Sequence, residues 1–425
     1  MKTTEWLKAL EAGTVRGLDL LYQNDPTARA RVSDAIRAFE RKYGKDREIA
    51  LFSVPGRSEI AGNHTDHNRG CVLAGAIDRD VLVVAAKNTD DRMRVQSEGY
   101  REIDVALAKC SDPKAFDTGS SGALVAGVAG GFLLRGHKIG GFDAYTTTRV
   151  LKGSGLSSSA AFEVAVGTVL NHFYNEGSID APEIAKIAQY AENAYFGKPC
   201  GLMDQMACAV GGFVFIDFAD PEKPVIEPID FSLTEAGYAL AIVNTGGSHS
   251  DLTDDYAAVP AEMKAIASFC GREVLRGITE GELLANAPVL RRAAGDRALL
   301  RALHFVREND RVLAQAKALR EGRIADFLAG EIASGRSSFD YLQNVYTNKN
   351  VKEQGLSLAL AVTEGALSGR GCAWRVHGGG FAGTIQTFVR RELAEEYAAL
   401  VDSIFGKGAC MLLSIRPVGA TRILP

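Results

Sequence analysis

The chain has 425 residues, of which 46% are hydrophobic and 24% charged, and these proportions exclude a disordered, collagenous or fibrous protein. Lys and Arg total 48 against 52 Asp and Glu, a net charge of −4 that disfavours nucleic acid and anionic membranes as partners. Seven scattered cysteines without a CxxC spacing favour reduced thiols in a cytoplasmic protein. The length allows several domains, or two large ones that share a cleft.

The first half of the chain alternates helical and strand-like patterns. Helical apolar spacing over 5–44 is followed by a strand at 50–56 that we expect to end in a Pro-Gly turn. Two β-branched runs at 71–77 and 81–86 predict strands on either side of a turn at Asp78. The other elements predicted in this half are a strand at 93–97, a buried helix at 120–136, a strand at 142–150, helices to Tyr174, over 182–196 and up to Gly211, and a strand at 213–218.

A Pro-rich, charged break near residue 220 separates this half from the next. We therefore predict an N-terminal unit over 1–220 and a C-terminal unit over 221–425. The elements predicted in the second unit are a strand at 238–245, helices at 256–270, 296–320, 322–346, 350–368 and 391–404, two strands around a glycine-rich turn, and a strand that begins at Cys410. Periodicity alone indicates an enzyme-like α+β layout.

A Gly/Ser-rich loop lies between a predicted strand and a predicted helix. Its residues are Gly153, Ser154, Gly155, Leu156, Ser157, Ser158, Ser159 and Ala160. Small residues let backbone N–H groups approach phosphate oxygens closely, and the helix N-terminus adds a favourable dipole. The segment therefore predicts a phosphate-binding loop, although a flexible linker or a serine N-cap is the alternative on this loop alone.

A second segment, Pro55–Gly70, places arginines, histidines, carboxylates and amides in one loop. Such fixed donors and acceptors suit a polyhydroxylated ligand, whose buried hydroxyls must all be paired. His64 and His67, with Asp66 between them, are alternatively metal ligands, but no third ligand follows at a recognisable spacing. A solvated polar loop is the simplest alternative.

Two further segments carry weaker signals. Cys200–Gln205 places the carboxylate of Asp204 among apolar residues, where a catalytic base and a helix cap are both consistent with the pattern. Val376–Thr384 is a glycine-rich stretch between two predicted strands, which taken alone is typical of a tight turn.

Together these segments resemble the GHMP kinase superfamily, and within it the galactokinase family. PGRSEIAGNHTDHNRGCVLAGAID is similar to the family's sugar signature, KGSGLSSSAA to its phosphate loop, and RVHGGGFAGT to its third glycine motif. AENAYFGKPCGLMDQMA and RALHFVRENDRV resemble two further family segments. The order and spacing of the motifs agree across nearly the whole chain.

The resemblance implies an α+β fold of two lobes, with a mixed sheet and helices in the N-terminal lobe and an antiparallel sheet and helices in the C-terminal lobe. The active site is then expected in the cleft between the lobes. The implied activity is transfer of phosphate from ATP, with Mg²⁺, to the C1 hydroxyl of α-D-galactose. We expect a monomer that acts on small molecules.

The resemblance also implies roles for individual residues. Asp204 matches the residue placed against the C1 hydroxyl and Arg57 the arginine beside it, while Ser159 and Glu192 match the Mg²⁺ ligands. The residues that match the family's sugar contacts are Asn63, His64, Asp66, Gly201 and Tyr256.

Several departures from the family pattern leave the substrate open. An amide and a carboxylate have exchanged places at Glu59 and Asn63, so that an uncharged residue stands where the family's glutamate contacts the C6 hydroxyl. Lys152 adds a charge to the phosphate loop, and the residues after Tyr256 differ from the family's. A kinase for L-arabinose or N-acetylgalactosamine is therefore one alternative, and a catalytically silent galactose- and ATP-sensing regulator is another.

Overall fold

The computed structural model describes residues 1–22, 25–150, 155–247 and 252–425, which form α-helices around two β-sheets. The helices of these ranges are α1 (Thr3–Glu11), α2 (Gly17–Tyr22), α3 (Ala28–Tyr43), α4 (Ser121–Leu134), α5 (Ser158–Tyr174), α6 (Ala181–Tyr190), α7 (Met203–Val210), α8 (Thr253–Phe269), α9 (Glu280–Ala285), α10 (Ala287–Ala294), α11 (Asp296–Arg320), α12 (Ile324–Ser337), α13 (Gly355–Leu367) and α14 (Ala394–Phe405). The strands are β1 (Ala50–Ala61), β2 (Cys71–Lys87), β3 (Arg92–Ser97), β4 (Ile103–Ala106), β5 (Phe142–Thr148), β6 (Phe213–Asp217), β7 (Val225–Ile229), β8 (Tyr238–Asn244), β9 (Ala373–His377), β10 (Thr384–Arg390), β11 (Cys410–Leu413) and β12 (Thr421–Ile423). π-Helical turns extend α6 over Ala191–Phe196 and α12 over Ser338–Leu342.

The first sheet is mixed and is built on the 17-residue strand β2. Its main order is β12-β1-β2-β5-β3-β4, with β6 paired to β2 and β7 paired to β6. All of these pairs are antiparallel except β3 with β5. The second sheet is antiparallel, in the order β11-β8-β10-β9. The α+β class with one mixed and one antiparallel sheet is thus confirmed.

Helices cover both faces of the first sheet. Apolar residues of α4–α7 pack on one face around residues such as Phe52 and Val83, and the N-terminal helices α1–α3 pack on the other around Leu51 and Leu82. This alternation of sides along β1 and β2 follows from the two-residue repeat of a strand. A third cluster joins β2 and β6 to the second sheet and to α11 and α12, so one apolar layer runs between the sheets.

Two predicted turns are wrong, because strands run through both positions. Pro55 and Gly56 lie inside β1, where the pairing with β2 shifts register between Pro55 and Arg57. A bulge at this point accommodates a proline that has no N–H to donate to the ladder. Asp78 lies inside β2, and its N–H donates to the carbonyl of Ser414 at 3.0 Å, a partner that no local pattern indicates.

Other differences concern helix boundaries and missed elements. The predicted helical stretch over 5–44 is three helices, α1–α3, and it ends at Gly44 with φ at 97°. The helix predicted over 322–346 ends as α12 at Ser337, followed by the π-helical turn. The short elements that were not predicted are α9, α10, β4, β7 and β12. No helix of the described ranges is long and apolar enough to cross a membrane.

The division near residue 220 remains a prediction. Two strands from beyond residue 220 belong to the first sheet: β7 pairs with β6, and β12 pairs with β1. Arg416 strengthens the second of these pairings, since its Nη1 donates to Ser53 Oγ at 2.7 Å.

Candidate active site

Arg57 and Asp204 form the centre of the candidate site. Arg57 follows the bulge of β1, and Asp204 lies in the first turn of α7. Arg57 Nε and Nη2 each lie 2.8 Å from Asp204 Oδ1, so two N–H groups converge on one carboxylate oxygen. Burial opposes the charge of Arg57, but the Asp204 carboxylate outweighs it and raises the pKa of the guanidinium. Asp204 is therefore held in place while a third of its side chain remains exposed, at 34%.

The phosphate-loop segment contacts this same pair. Arg57 Nη1 donates to the carbonyl of Gly155 at 2.5 Å, and Ser157 Oγ donates to Asp204 Oδ2. Ser157 is left-handed, with φ at 56°, and it stands immediately before the first residue of α5. Leu156 is buried, whereas Ser158, Ser159 and Ala160 open the helix. Of the predicted phosphate-binding residues, Gly153 and Ser154, like Lys152, lie outside the described residues.

The close approach of this loop to β1 depends on Gly56. A Cβ at Gly56 would lie 2.7 Å from the carbonyl oxygen of Leu156 and 2.9 Å from Cγ1 of Val150. Both distances are shorter than ordinary contacts, so a larger residue would displace the loop. The backbone N–H of Arg57 also donates to the Leu156 carbonyl, at 3.2 Å.

Ser159 and Glu192, which the resemblance implies as Mg²⁺ ligands, lie close together beside this centre. Ser159 Oγ donates to Glu192 Oε1 at 3.5 Å, and Glu192 is buried in the π-helical turn after α6. Lys198 Nζ lies 3.0 Å from the same Oε1, so the structure already places a positive charge against this oxygen. Hard oxygen ligands of this kind fit Mg²⁺, which usually takes only one or two protein carboxylates and shares the phosphates. In the described ranges no group of three His, Cys, Asp or Glu side chains is arranged to hold a metal, and this includes His64, Asp66 and His67.

A buried amide joins Glu192 to a second carboxylate. Gln205 Nε2 donates to Glu192 Oε2 at 2.8 Å and to Glu163 Oε2 at 3.2 Å. Burial, together with the charge of Glu192, raises the pKa of Glu163 to about 8. The carboxyl group of Glu163 is therefore mostly protonated at neutral pH.

Asp66 and Gly201 lie next to each other. The Oδ2 atom of Asp66 is 3.1 Å from the point where a Cβ would stand on Gly201, while its Oδ1 accepts from the N–H of His67 at 3.0 Å. Only a residue without a side chain leaves Oδ2 accessible from that direction. Because Gly201 precedes Asp204 by three residues, this contact brings the sugar-signature loop to the segment that carries Asp204.

His64 presents one unused ring nitrogen. Its Nε2 lies 3.0 Å from the carbonyl of Gly379, and its Nδ1 is buried without a partner among the described residues. Burial, with the nearby His67, lowers the pKa of His64, so the ring is neutral. Since Nε2 must carry the proton to donate to a carbonyl, Nδ1 is left as an acceptor for a ligand hydroxyl.

Asn63 and Tyr256 are both engaged with protein groups. Tyr256 donates to the carbonyl of Gly380 at 2.7 Å, and its ring crosses that of Phe381 edge-on at 5.3 Å. The side chain of Asn63 is fully buried and makes four hydrogen bonds. Its Nδ2 donates to Glu59 Oε1 (3.1 Å) and the Gly378 carbonyl (2.6 Å), and its Oδ1 accepts from Asn344 Nδ2 (2.8 Å) and Ser338 Oγ (3.3 Å). An asparagine side chain has no further hydrogen-bonding capacity once these positions are filled.

His377, at the end of β9, joins the third glycine motif to the other two motifs. Its Nε2 lies 3.1 Å from Ser58 Oγ, and its Nδ1 lies 2.9 Å from Thr384 Oγ1. A Cβ on Gly155 would approach the ring at 3.1 Å. Burial and the adjacent Arg57 lower the pKa of His377 to about 3, so it is neutral.

Sequence reasoning missed the contacts that support the site. Lys198, Gln205 and His377 occur inside the quoted motifs but carry no signal of their own. Ser157 was expected to bind phosphate, and its hydrogen bond to Asp204 was not foreseen.

The arrangement combines three chemical capacities. The Arg57–Asp204 pair places a fixed positive charge and an acceptor side by side. The N-terminus of α5 and the Ser159–Glu192 pair provide donors and hard oxygens for a phosphate and its cation. The loop around His64 and Asp66 provides acceptors for hydroxyl groups.

Comparisons with known proteins agree with this geometry. Residues 37–87 match the family described as "Galactokinase galactose-binding signature", and residues 123–212 match the family described as "GHMP kinases N terminal domain". A galactokinase of Streptomyces coelicolor is 29% identical over 398 residues, covering 91% of this chain and 97% of that protein. The structure of Lactococcus lactis galactokinase complexed with galactose superimposes with a TM-score of 0.77 at 24% identity, covering 93% of this chain and all of that one.

The similarity to a second relative is high enough to assign the chain to a family. A galactokinase of Glaesserella parasuis serovar 5 is 31% identical over 372 residues, covering 87% of this chain and 92% of the relative. The similarity extends through the sugar signature, the phosphate loop and the residues around Asp204, which the structure brings together. The chain therefore belongs to the galactokinase family of the GHMP kinases.

Proposed function

We propose that the protein is a galactokinase, which transfers the terminal phosphoryl group of ATP to the C1 hydroxyl of α-D-galactose and releases galactose 1-phosphate and ADP. The observation that carries the proposal is the junction at Asp204. One carboxylate oxygen accepts from Arg57, and the other accepts from Ser157 of the phosphate-loop segment. An acceptor for a hydroxyl proton thus lies where the transferred phosphate would arrive.

The residues of this junction divide the chemical work. The C1 oxygen attacks phosphorus, its proton passes to Asp204, and the bond from phosphorus to the departing ADP oxygen breaks. Arg57 keeps Asp204 oriented and offsets negative charge that develops on the phosphoryl group. Phosphoryl transfer requires mainly such positioning and charge neutralisation.

Ser159 and Glu192 would hold Mg²⁺. The cation supplies positive charge to the phosphate oxygens when it is bound. The protein's own contribution is to keep Glu192 oriented, which Gln205 does through its hydrogen bond to Oε2. The segment Gly153–Ala160 would cradle the phosphates of ATP through backbone N–H groups and the dipole of α5.

His64, Asp66, Gly201 and Tyr256 are proposed as the sugar site. His64 Nδ1 and Asp66 Oδ2 are acceptors, and Gly201 leaves the second of them accessible. Tyr256 donates a hydrogen bond to Gly380 of the third glycine motif, and the neighbouring Gly379 carbonyl contacts His64. The cytoplasmic location and the monomeric state remain predictions from the sequence.

A second candidate, a kinase that also accepts L-arabinose, is favoured by one observation. The four hydrogen-bonding positions of Asn63 are filled by protein groups, so this side chain has none to offer a C6 hydroxyl. A pocket without that contact discriminates poorly against a sugar that lacks C6. N-acetylgalactosamine, the other alternative substrate, has no comparable support.

Release of ADP with Mg·ATP tests the proposal against a panel of galactose, L-arabinose, fucose, N-acetylgalactosamine, glucose and mannose. We expect turnover with galactose and none with glucose or mannose. Equal turnover with L-arabinose would establish the second candidate. Turnover with none of the sugars, while galactose still raises the melting temperature, would contradict the kinase assignment and favour the silent regulator.

A further inference from the structure

The carboxylate of Glu192 is almost completely enclosed. Its relative exposure is 3%, and both oxygens have partners. Oε2 accepts from Gln205 at 2.8 Å, and Oε1 faces Ser159 Oγ at 3.5 Å and Lys198 Nζ at 3.0 Å. A buried carboxylate is strongly destabilised unless a positive charge is close to it.

Lys198 is held to Glu192 at two points. Gly197 ends the π-helical turn in the left-handed region, with φ at 81°, and this reverses the chain. The backbone N–H of Lys198 then donates to the Glu192 carbonyl at 3.1 Å, while its ammonium contacts the Glu192 carboxylate. Within the described ranges Lys198 is the cationic side chain that forms an ion pair with Glu192.

The ammonium of Lys198 has space to move away from Glu192 into solvent. Its side chain is 63% exposed, against 4% for the carboxylate that it neutralises. Rotation about the flexible four-carbon side chain would return the charge to water without moving the backbone. Glu192, by contrast, is fixed by Gln205 and by the surrounding π-helical turn.

Lys198 Nζ and Ser159 Oγ converge on the same oxygen, Glu192 Oε1. A divalent cation that binds Ser159 and Glu192 needs this oxygen. A charged ammonium has no lone pair to act as a metal ligand, and it repels a cation at that distance. Both cannot occupy Oε1 together.

We propose that Lys198 is a built-in counter-cation of the metal site, which neutralises Glu192 in the absence of metal and is displaced when a divalent cation binds. The inference rests on the proposed function for the identity of the metal ligands. It assigns to Lys198 a positioning role: the lysine holds the buried carboxylate in place, and it sets the concentration of cation needed to fill the site.

Binding of Mn²⁺ alone tests this proposal without sugar or turnover, so its result is independent of the galactokinase assay. Free Mn²⁺ is measured by electron paramagnetic resonance in titrations of the wild type and of Lys198→Met. We expect the variant to bind Mn²⁺ about two- to five-fold more tightly, the range that a partly exposed ion pair would account for. Lys198→Arg, which retains the charge, should bind as the wild type does.

Thermal unfolding provides a second readout. Without metal, Lys198→Met should melt at a lower temperature than the wild type, because Glu192 has lost its partner, and Mn²⁺ should raise its melting temperature by more. Lys317→Met is the matched control, since Lys317 is 69% exposed and its ion pair with Glu321 lies away from the site. It should change neither measurement.

Three outcomes would overturn the proposal. The first is Mn²⁺ binding to Lys198→Met that is unchanged or weaker. The second is absence of Mn²⁺ binding to both proteins. The third is an increased KM for Mg·ATP in Lys198→Met with unaltered Mn²⁺ binding, which would show that Lys198 holds a phosphate instead.

Discussion

At the scale of single residues, the candidate site depends on side chains with more than one partner. Asp204 is shared between Arg57 and Ser157, so the sugar signature, the phosphate loop and α7 meet on one carboxylate. Its 34% exposure shows that a ligand hydroxyl has access to a group that the protein already orients. The carboxylate is therefore preorganised before substrate arrives.

Replacement of Asp204 by asparagine should abolish most of the turnover. The amide in Asp204→Asn keeps the shape of the side chain but accepts no proton, so we expect kcat to fall by about 10²- to 10⁴-fold. ADP release measures the rate, and a galactose-dependent rise in melting temperature shows that the fold and the sugar site persist. Asp296→Asn, at an exposed carboxylate paired with Arg291, is the control and should be fully active. A kcat for Asp204→Asn close to that of the wild type would refute the assigned role.

A variant at Asn63 distinguishes a structural role of this side chain from a contact with the sugar. Asn63→Ala would remove four buried hydrogen bonds, and we expect it to lower the free energy of unfolding by about 2–5 kcal/mol. Urea unfolding measures this change. Asn350→Ala, at an exposed asparagine, should cost less than about 0.5 kcal/mol. Normal stability of Asn63→Ala with an increased KM for galactose would show that Asn63 binds the sugar instead.

At the scale of secondary structure, the site is built where strands and helices deviate from regularity. The bulge of β1 directs Arg57 toward α7, and the π-helical turn after α6 carries Glu192. Bulges and π-helical turns are common beside functional sites because they redirect one side chain without ending the element.

Gly56→Ala tests the contact between β1 and the phosphate loop. The new Cβ would lie 2.7 Å from the Leu156 carbonyl, so the loop must move away from Arg57. We expect KM for ATP to increase by about ten-fold or more while KM for galactose changes little, because a displacement near 1 Å is enough to disturb a phosphate site. Steady-state kinetics with each substrate varied measures both constants.

Gly365→Ala is the matched control for this variant. A Cβ at Gly365, which lies in α13, would meet no atom within 4 Å. It should leave both KM values unchanged and stabilise the protein slightly, since alanine favours helix. Equal KM values for ATP in Gly56→Ala and the wild type would show that the loop tolerates the extra methyl group.

The sequence identified the regular elements and the motifs better than their junctions. The helix ending at Tyr174 and the two strands around the third glycine motif are confirmed because apolar spacing decides them. The turns at Pro55-Gly56 and Asp78 were predicted wrongly because tertiary partners, a bulge opposite β2 and the Ser414 carbonyl, override the local preference. Likewise, the ion pair between Lys198 and Glu192 depends on the left-handed turn at Gly197, which the sequence pattern does not predict.

At the scale of the whole molecule, buried polar groups join the two sheets. His377 of β9 contacts Ser58 of β1, and Arg375 lies 3.0 Å from Glu59 across the same boundary. Arg375, with its neighbours, outweighs the effect of burial and lowers the pKa of Glu59 to about 2, so this ion pair persists at any ordinary pH. The sheets are therefore linked by charge as well as by apolar packing.

His377 should make the protein sensitive to acid. Its pKa falls from 6.5 to about 3 because it is buried beside Arg57, so below pH 6.5 the unfolded chain takes up a proton that the folded chain excludes. The contribution of His377 to stability is complete above pH 6.5 and is lost as the pH falls toward 3. The loss amounts to about 1.4 kcal/mol per pH unit in that window.

His377→Gln should reduce this slope. Glutamine offers hydrogen bonds to Ser58 and Thr384 without titrating, so the free energy of unfolding should fall less steeply between about pH 6 and pH 4. Urea unfolding at a series of pH values measures the slope, with the partly buried His137→Gln as control. Identical slopes for the wild type and His377→Gln would contradict the explanation.

The pairing of β12 with β1 has a consequence for biosynthesis. Ile423 pairs with Leu51, and Arg416 contacts Ser53, so a strand made early is completed by residues made more than 360 positions later. Until those residues leave the ribosome, one edge of β1 has no neighbour and is open to pairing with other chains. The order of synthesis, rather than the finished contacts, therefore exposes this edge to aggregation during translation.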